Sequence, residues 1–258
     1  MENGKHFEKN KKKIGILYLI FIVSIIMLIF EIQNISTINN DEKYNEIASD
    51  NSQVEPEMTI ETKTERMIKL EELQKENSDI VGWLEIEDSN INYPVLQGTD
   101  NDYYMTHNYK KQYSKNGSLF LDKDYDWNLP SSNLLIYGHN NRGSNEMLVG
   151  LMNYKNEDYY KTHKTIRFTT NEEDAEYEII SVFLSRVYYK SETDVFRYYY
   201  FINAENEQEF NEYVQNSKEA SLYNIEATAE YGDQLLTLST CEFSQEDGRL
   251  AVVARKIK

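Results

Sequence analysis

Seventeen consecutive residues without a charge, IGILYLIFIVSIIMLIF at positions 14–30, constrain this 258-residue chain more than any other feature. A helix of that length reaches about 25 Å, the short end of what crosses a bilayer. The run has no polar face of the kind a surface helix of a soluble domain carries. It ends in Phe30, Glu31, Ile32, Gln33 and Asn34, with no small-residue cleavage pattern. The expectation is an uncleaved transmembrane signal anchor over residues 14–32. Residues 1–13 hold five Lys against two Glu. That basic tail before the span predicts a cytoplasmic N-terminus, a single pass through the cell membrane and an extracellular bulk.

The charge is uneven. Forty-four acidic and 27 basic residues give a net charge of −17, and the first 13 residues contribute +3 to it. So acidic a surface disfavours nucleic acid as a partner, because phosphate binding needs clustered Lys and Arg. A hydrophobic fraction of 40% and an aromatic fraction of 13% argue against a disordered chain. A single Cys excludes an intramolecular disulfide framework and any Cys-rich metal site.

Residues 33–60 are polar and acidic without a sustained period and read as an extracellular linker. Residues 61–258 read as one folded domain. It opens on an amphipathic helix over 62–77, with Met67, Ile68, Leu70 and Leu73 among charges. Eight short apolar or alternating runs then predict strands, at 81–87, 90–97, 117–124, 133–140, 165–170, 177–189, 233–241 and 250–257. Pro94 in the second run suggests an edge or a bulge. Further helical patterns fall at 146–154 and 204–218, the latter with Phe210, Tyr213 and Val214 near helical spacing. Many short strands and few helices define a mainly β fold, a closed barrel or a sandwich.

Cys241 ends one apolar run and a polar loop follows it. A nucleophile at a strand end is held rigidly yet exposed; a free Cys is also often a small buried hydrophobe. His139 closes the run Leu134-Leu135-Ile136-Tyr137-Gly138, again at a strand end. It is either an acid–base group or a His hydrogen-bonded at a sheet rim. His107 and His163 lie in polar segments and read as surface residues, and His6 lies in the basic tail. Arg249 stands eight residues past Cys241. An antiparallel return would bring its guanidinium back beside the Cys, where it could stabilise an oxyanion; an exposed strand-edge Arg is the plainer alternative. No H-E-x-x-H motif or compact carboxylate cage points to a metal or other cofactor.

TLSTC at 237–241, with Arg249 before an apolar strand containing VVA, resembles the signature of sortases. Ser239 and Glu242 make it more similar to class B. The stretches 82–104, GSLFLD at 117–122 and NLLIYGHN at 133–140 agree, and the likeness runs over about residues 65–258. It implies an eight-stranded sortase-type β-barrel with an N-terminal helix and a few peripheral helices. It also implies a cysteine transpeptidase in which Cys241 attacks the carbonyl after a Thr in the sorting signal of a secreted protein. His139 would act as acid and then base, and Arg249 would stabilise the oxyanion. Asn101, Ser239 and Glu242 match positions near the substrate cleft. The segment 186–204 would begin the long class B insertion, here rich in Tyr. The implied acceptor is an amine of cell-wall peptidoglycan or of its lipid-linked precursor. A pilin Lys is the alternative acceptor, although the chain has no Asp-Pro dipeptide of the kind found in pilus-enzyme lids. An inactive extracellular binding module is the non-enzymatic alternative.

Overall fold

The structure, a computed structural model, describes residues 63–128 and 132–258. The expected basic tail, membrane span and linker, over 1–13, 14–32 and 33–60, lie outside the described residues. No helix among the described residues is long and apolar enough to cross a membrane.

The eight predicted runs all become strands: β1 (Ile80–Glu85), β2 (Asn92–Leu96), β3 (Leu119–Leu121), β4 (Asn133–Tyr137), β5 (Thr165–Thr169), β6 (Asp174–Arg186), β7 (Leu235–Cys241) and β8 (Gly248–Lys256). They close into a barrel in the order β1-β2-β3-β4-β7-β8-β6-β5. The β2–β3 and β4–β7 pairs are parallel and the others antiparallel. Pro94 faces Trp83 of β1, while β2 meets β3 only at Val95 and Leu96. The missing amide of Pro94 therefore costs no ladder bond on the β3 side. A register shift in β1 between Ile80 and Gly82 lies close by.

Alternation along the strands sorts residues into two apolar layers. Leu134 and Ile136 of β4, Leu236 and Leu238 of β7, and Leu250, Val252 and Ala254 of β8 fill the barrel. Their neighbours Leu135, Leu235, Ala251 and Val253 point outward into a second core. That core is closed by the long β6–β7 connection and its helix α3 (Glu207–Glu219). Asn206 caps α3 by accepting from the Glu209 amide at 3.0 Å, and Phe210, Tyr213, Val214 and Ser217 form its buried stripe.

Helix α1 (Glu65–Glu76) starts at an N-cap, Thr64, and buries Met67 and Leu70. Leu70 packs in a third cluster with Ile80, Leu96, Tyr104 and Phe120. Full burial of one such aliphatic side chain is worth about 1.5–3 kcal/mol. The helix expected over 146–154 is instead a 3₁₀ segment, Val149–Lys155, followed by the short helix α2 (Glu157–Thr162). A close tertiary contact accompanies the difference: a Cβ on Gly150 would stand 2.0 Å from the Asn90 side-chain oxygen.

Candidate active site

Strand register assembles the site. Residues 135 and 137 of β4 pair with 237 and 239 of β7, and Cys241 of β7 pairs with Arg249 of β8. All these residues share the parity of the outward-facing side chains. His139, two residues beyond Tyr137, extends the same row. His139, Cys241 and Arg249 thus stand side by side on three neighbouring chains, whose spacing in a sheet is about 4.8 Å. All three are half-buried and line one cleft of about 240 Å³. This cleft lies on the outer wall of the barrel, beneath the β6–β7 connection.

Polar bonds hold the strand ends together beyond the regular ladder. The Gly138 amide donates to the Ser239 carbonyl at 3.2 Å, and the Thr240 hydroxyl donates to the Gly138 carbonyl at 2.7 Å. Asn140 is buried and its side-chain amide donates to the Cys241 carbonyl at 2.9 Å. A side chain on Gly138 would strike Leu119 and Leu148, at 2.4 and 2.8 Å. The glycine lets both chains approach the strand end that carries His139.

His139 has one fixed partner, the Met105 carbonyl, 2.7 Å from its Nε2. A carbonyl only accepts, so Nε2 carries the hydrogen. Arg249 turns at its own strand end, donating from Nη1 to the carbonyls of Gly248 and Asp247, at 2.9 and 3.3 Å. No carboxylate among the described residues forms an ion pair with it. Its guanidinium therefore remains available to an incoming oxygen.

Tyr198, in the 3₁₀ turn Tyr198–Tyr200 of the β6–β7 connection, roofs the row. Only 1% of it is exposed, and its hydroxyl lies 2.7 Å from the Ser239 Oγ. Burial pushes its pKa up to about 12, even though the Ser239 bond and the Arg249 charge pull the other way. At neutral pH it is therefore a neutral hydroxyl. Tyr199 and Val187 complete this wall. The sequence reading missed all three: Val187 lies in the run 177–189 read only as a strand, and Tyr198 and Tyr199 lie in a segment with no strand or helix period.

Of the remaining sequence candidates, Asn101 and Ser239 line the cleft. Asn101 is fastened beneath it, donating to Asp122 Oδ2 at 3.0 Å and accepting from the Lys123 amide at 2.9 Å. Glu242 is absent from the cleft wall. It is 95% buried behind Cys241, paired with Lys155 at 2.7 Å, and accepts from the Ser244 amide at 2.8 Å. Burial alone would raise its pKa, but Lys155 and Ser244 outweigh that and hold it at about 2. His107 and His163 lie outside the cleft. Each ring stacks on the Tyr four residues earlier, at 4.1 and 3.8 Å. The hexapeptides around them, DYYMTH and DYYKTH, differ at one position. Among the described residues no cluster of three or more His, Cys, Asp or Glu could hold a metal ion.

The chemistry available is a thiol with an imidazole on one side and an unpaired guanidinium on the other, in a partly covered groove. Comparison with known proteins gives the same class. The sortase domain matches residues 84–257. Sortase B of Listeria monocytogenes is 35% identical over 193 residues, 73% of this chain and 74% of that protein. Sortase B of Staphylococcus aureus is 32% identical over 192 residues, 74% and 75% of the two chains. In structure, the chain resembles a Staphylococcus aureus sortase B–substrate complex with a TM-score of 0.66 at 30% identity, covering 74% of this chain and 86% of that one. Clostridium perfringens sortase B gives 0.65 at 30% identity, covering 73% and 99%. The chain belongs to the sortase family, in class B, and is a cysteine transpeptidase.

Proposed function

We propose that this transpeptidase is anchored by residues 14–32 on the outer face of a Gram-positive cell membrane. There it joins secreted proteins to the cell wall. Cys241 attacks the carbonyl after Thr in a C-terminal signal of the Asn-Pro-x-Thr-x type. The scissile C–N bond breaks, His139 gives the leaving amine its proton, and a thioester to Cys241 remains. His139 then takes a proton from the incoming amine of peptidoglycan or its lipid-linked precursor. That amine displaces the thiolate and a new amide forms. Arg249 stabilises the oxyanion in both steps.

The observation that carries this reading is the row of His139, Cys241 and Arg249 set by strand register in one cleft. Splitting an amide exchange in two requires an acyl-enzyme that survives until an amine arrives, and a thioester suits that need. The test combines sorting-signal peptides with a small amine acceptor and the purified enzyme. Cleavage after Thr, an amide product with the acceptor and loss of both in Cys241→Ala are expected. Failure to cleave any Asn-Pro-x-Thr peptide, with other signals accepted, would overturn the substrate assignment.

A further inference from the structure

Met105 sits 34 residues from His139 in sequence, yet its carbonyl is the fixed partner of the imidazole Nε2. That carbonyl belongs to a segment held from several sides. Met105 closes the 3₁₀ turn Tyr103–Met105. The Tyr104 ring is buried in the α1 cluster, and its hydroxyl donates to Asp79 at 2.6 Å and accepts from Asn77, the C-cap residue of α1, at 3.2 Å. On the other side, the Ser114 amide donates to the Thr106 carbonyl and the Ser118 amide to the Tyr104 carbonyl, both at 2.9 Å. The Ser118 hydroxyl donates to the His107 carbonyl, also at 2.9 Å.

Gly117 lies between those two amides with φ of +57°. A Cβ there would stand 2.5 Å from the Tyr104 carbonyl oxygen and 2.6 Å from that of Met105. Both are backbone atoms, so they could not rotate aside like a side chain. Gly117 is thus the one residue type that lets the 114–118 segment lie against the Met105 carbonyl while that carbonyl meets His139.

We propose that Gly117 and the Met105 carbonyl form a positioning device for His139. The carbonyl fixes the ring with hydrogen on Nε2, which leaves Nδ1 as the only ring lone pair of the neutral imidazole. The proton exchanged with the substrate amines therefore passes through Nδ1. Gly117 touches no reacting atom; it acts by setting where the Met105 oxygen stands. This rests on the reading of His139 as the proton-transfer group.

Two measurements on the full chain in detergent test it. The first is ¹⁵N NMR of histidine-labelled wild-type enzyme, at a pH where His139 is neutral, with its signals assigned by their loss in His139→Ala. The expected result is a protonated Nε2 and a bare Nδ1; a protonated Nδ1 would overturn the proposal. The second is kinetics of Gly117→Ala. A displaced carbonyl should lower kcat by about 10- to 100-fold, with KM changed by less than about two-fold, and the His139 signals should lose the fixed Nε2–H form. Gly232→Ala is the control, since Gly232 also has positive φ (+105°) but a Cβ there meets nothing within 4 Å. It should turn over normally. A folded Gly117→Ala enzyme with wild-type kcat would overturn the proposal, and if that variant does not fold, the wild-type tautomer decides. His139→Ala separates the two readings. Retained turnover there would remove the proton-transfer role itself, whereas an inactive His139→Ala beside a fully active Gly117→Ala would remove only the positioning device.

Discussion

The barrel wall of β4, β7 and β8 and the β6–β7 connection above it face each other across the same cleft, yet they hold their shape differently. The wall is a register: paired backbones fix Cys241 opposite Arg249 and align His139 with both. The connection has almost no backbone ladder of its own. It is held by packed rings and a few side-chain bonds. Phe201 stacks on Tyr213 at 4.0 Å, and Tyr198 meets Phe183 edge-on at 5.3 Å. The Tyr188 amide donates to the Tyr199 hydroxyl at 3.0 Å. Buried polar links fasten it to the wall: Tyr198 to Ser239, Tyr213 through Thr237 to Asn133, and Asn133 to the Phe201 carbonyl. The wall sets the chemistry, and the connection shapes the groove that receives a peptide.

Changes in the row of His139, Cys241 and Arg249 should therefore act on turnover, and changes in the connection or in its links to the wall should act on stability and substrate fit. Arg249→Lys should cost the most, about 10- to 100-fold in kcat/KM, since Lys lacks the planar fork that can hold two oxygens at once. Steady-state peptide cleavage measures it, and near-normal activity would reduce Arg249 to a packing role. Asn133→Ala breaks both ends of a buried link, because Asn133 also donates to the Phe201 carbonyl at 2.8 Å. It should destabilise the domain by about 2–3 kcal/mol, read from the urea midpoint, while the folded fraction keeps its kcat. A kcat that fell in proportion to stability would erase the distinction between the two regions.

Tyr198→Phe should cost about 1 kcal/mol of stability and raise KM more than it lowers kcat. An equal loss in kcat would make Tyr198 part of the wall's chemistry. Glu242→Gln should have the smallest effect on turnover, because Glu242 is absent from the cleft wall, and its loss of stability should be largest near neutral pH. Folded Glu242 keeps its charge down to about pH 2, against an ordinary value of 4.5. The stabilisation it supplies is thus present above pH 4.5 and is lost as the pH falls through about 2. The Gln variant should show a flatter stability curve across that window by equilibrium denaturation. An unchanged curve would mean that another carboxylate governs the acid limb.

The same contrast explains what could be read in advance. The strands were visible because alternating or continuous apolar runs such as LLTLSTC and LAVVARKI are written locally, and their parity places Cys241 and Arg249 on one face. The barrel's closure and the class B affinity were legible only through resemblance to other sequences. Tyr198 and Tyr199 were not legible, since RYYYF has no period and its rings are placed by contacts with Ser239, Phe183 and Tyr213. The segment 146–154 misled because its apolar spacing suits an α-helix, while in the fold Gly150 must pass against Asn90. Glu242 was legible as a neighbour of the nucleophile, but its pairing with Lys155, 87 residues away, was not.

Intact-mass spectrometry of the enzyme mixed with sorting-signal peptides tests the central claim most directly. The row of His139, Cys241 and Arg249 predicts a mass gain equal to the peptide's N-terminal fragment through Thr, carried on Cys241 and absent from Cys241→Ala. A gain that persists in Cys241→Ala, or no gain with any peptide alongside a thiol that resists alkylation, would contradict it.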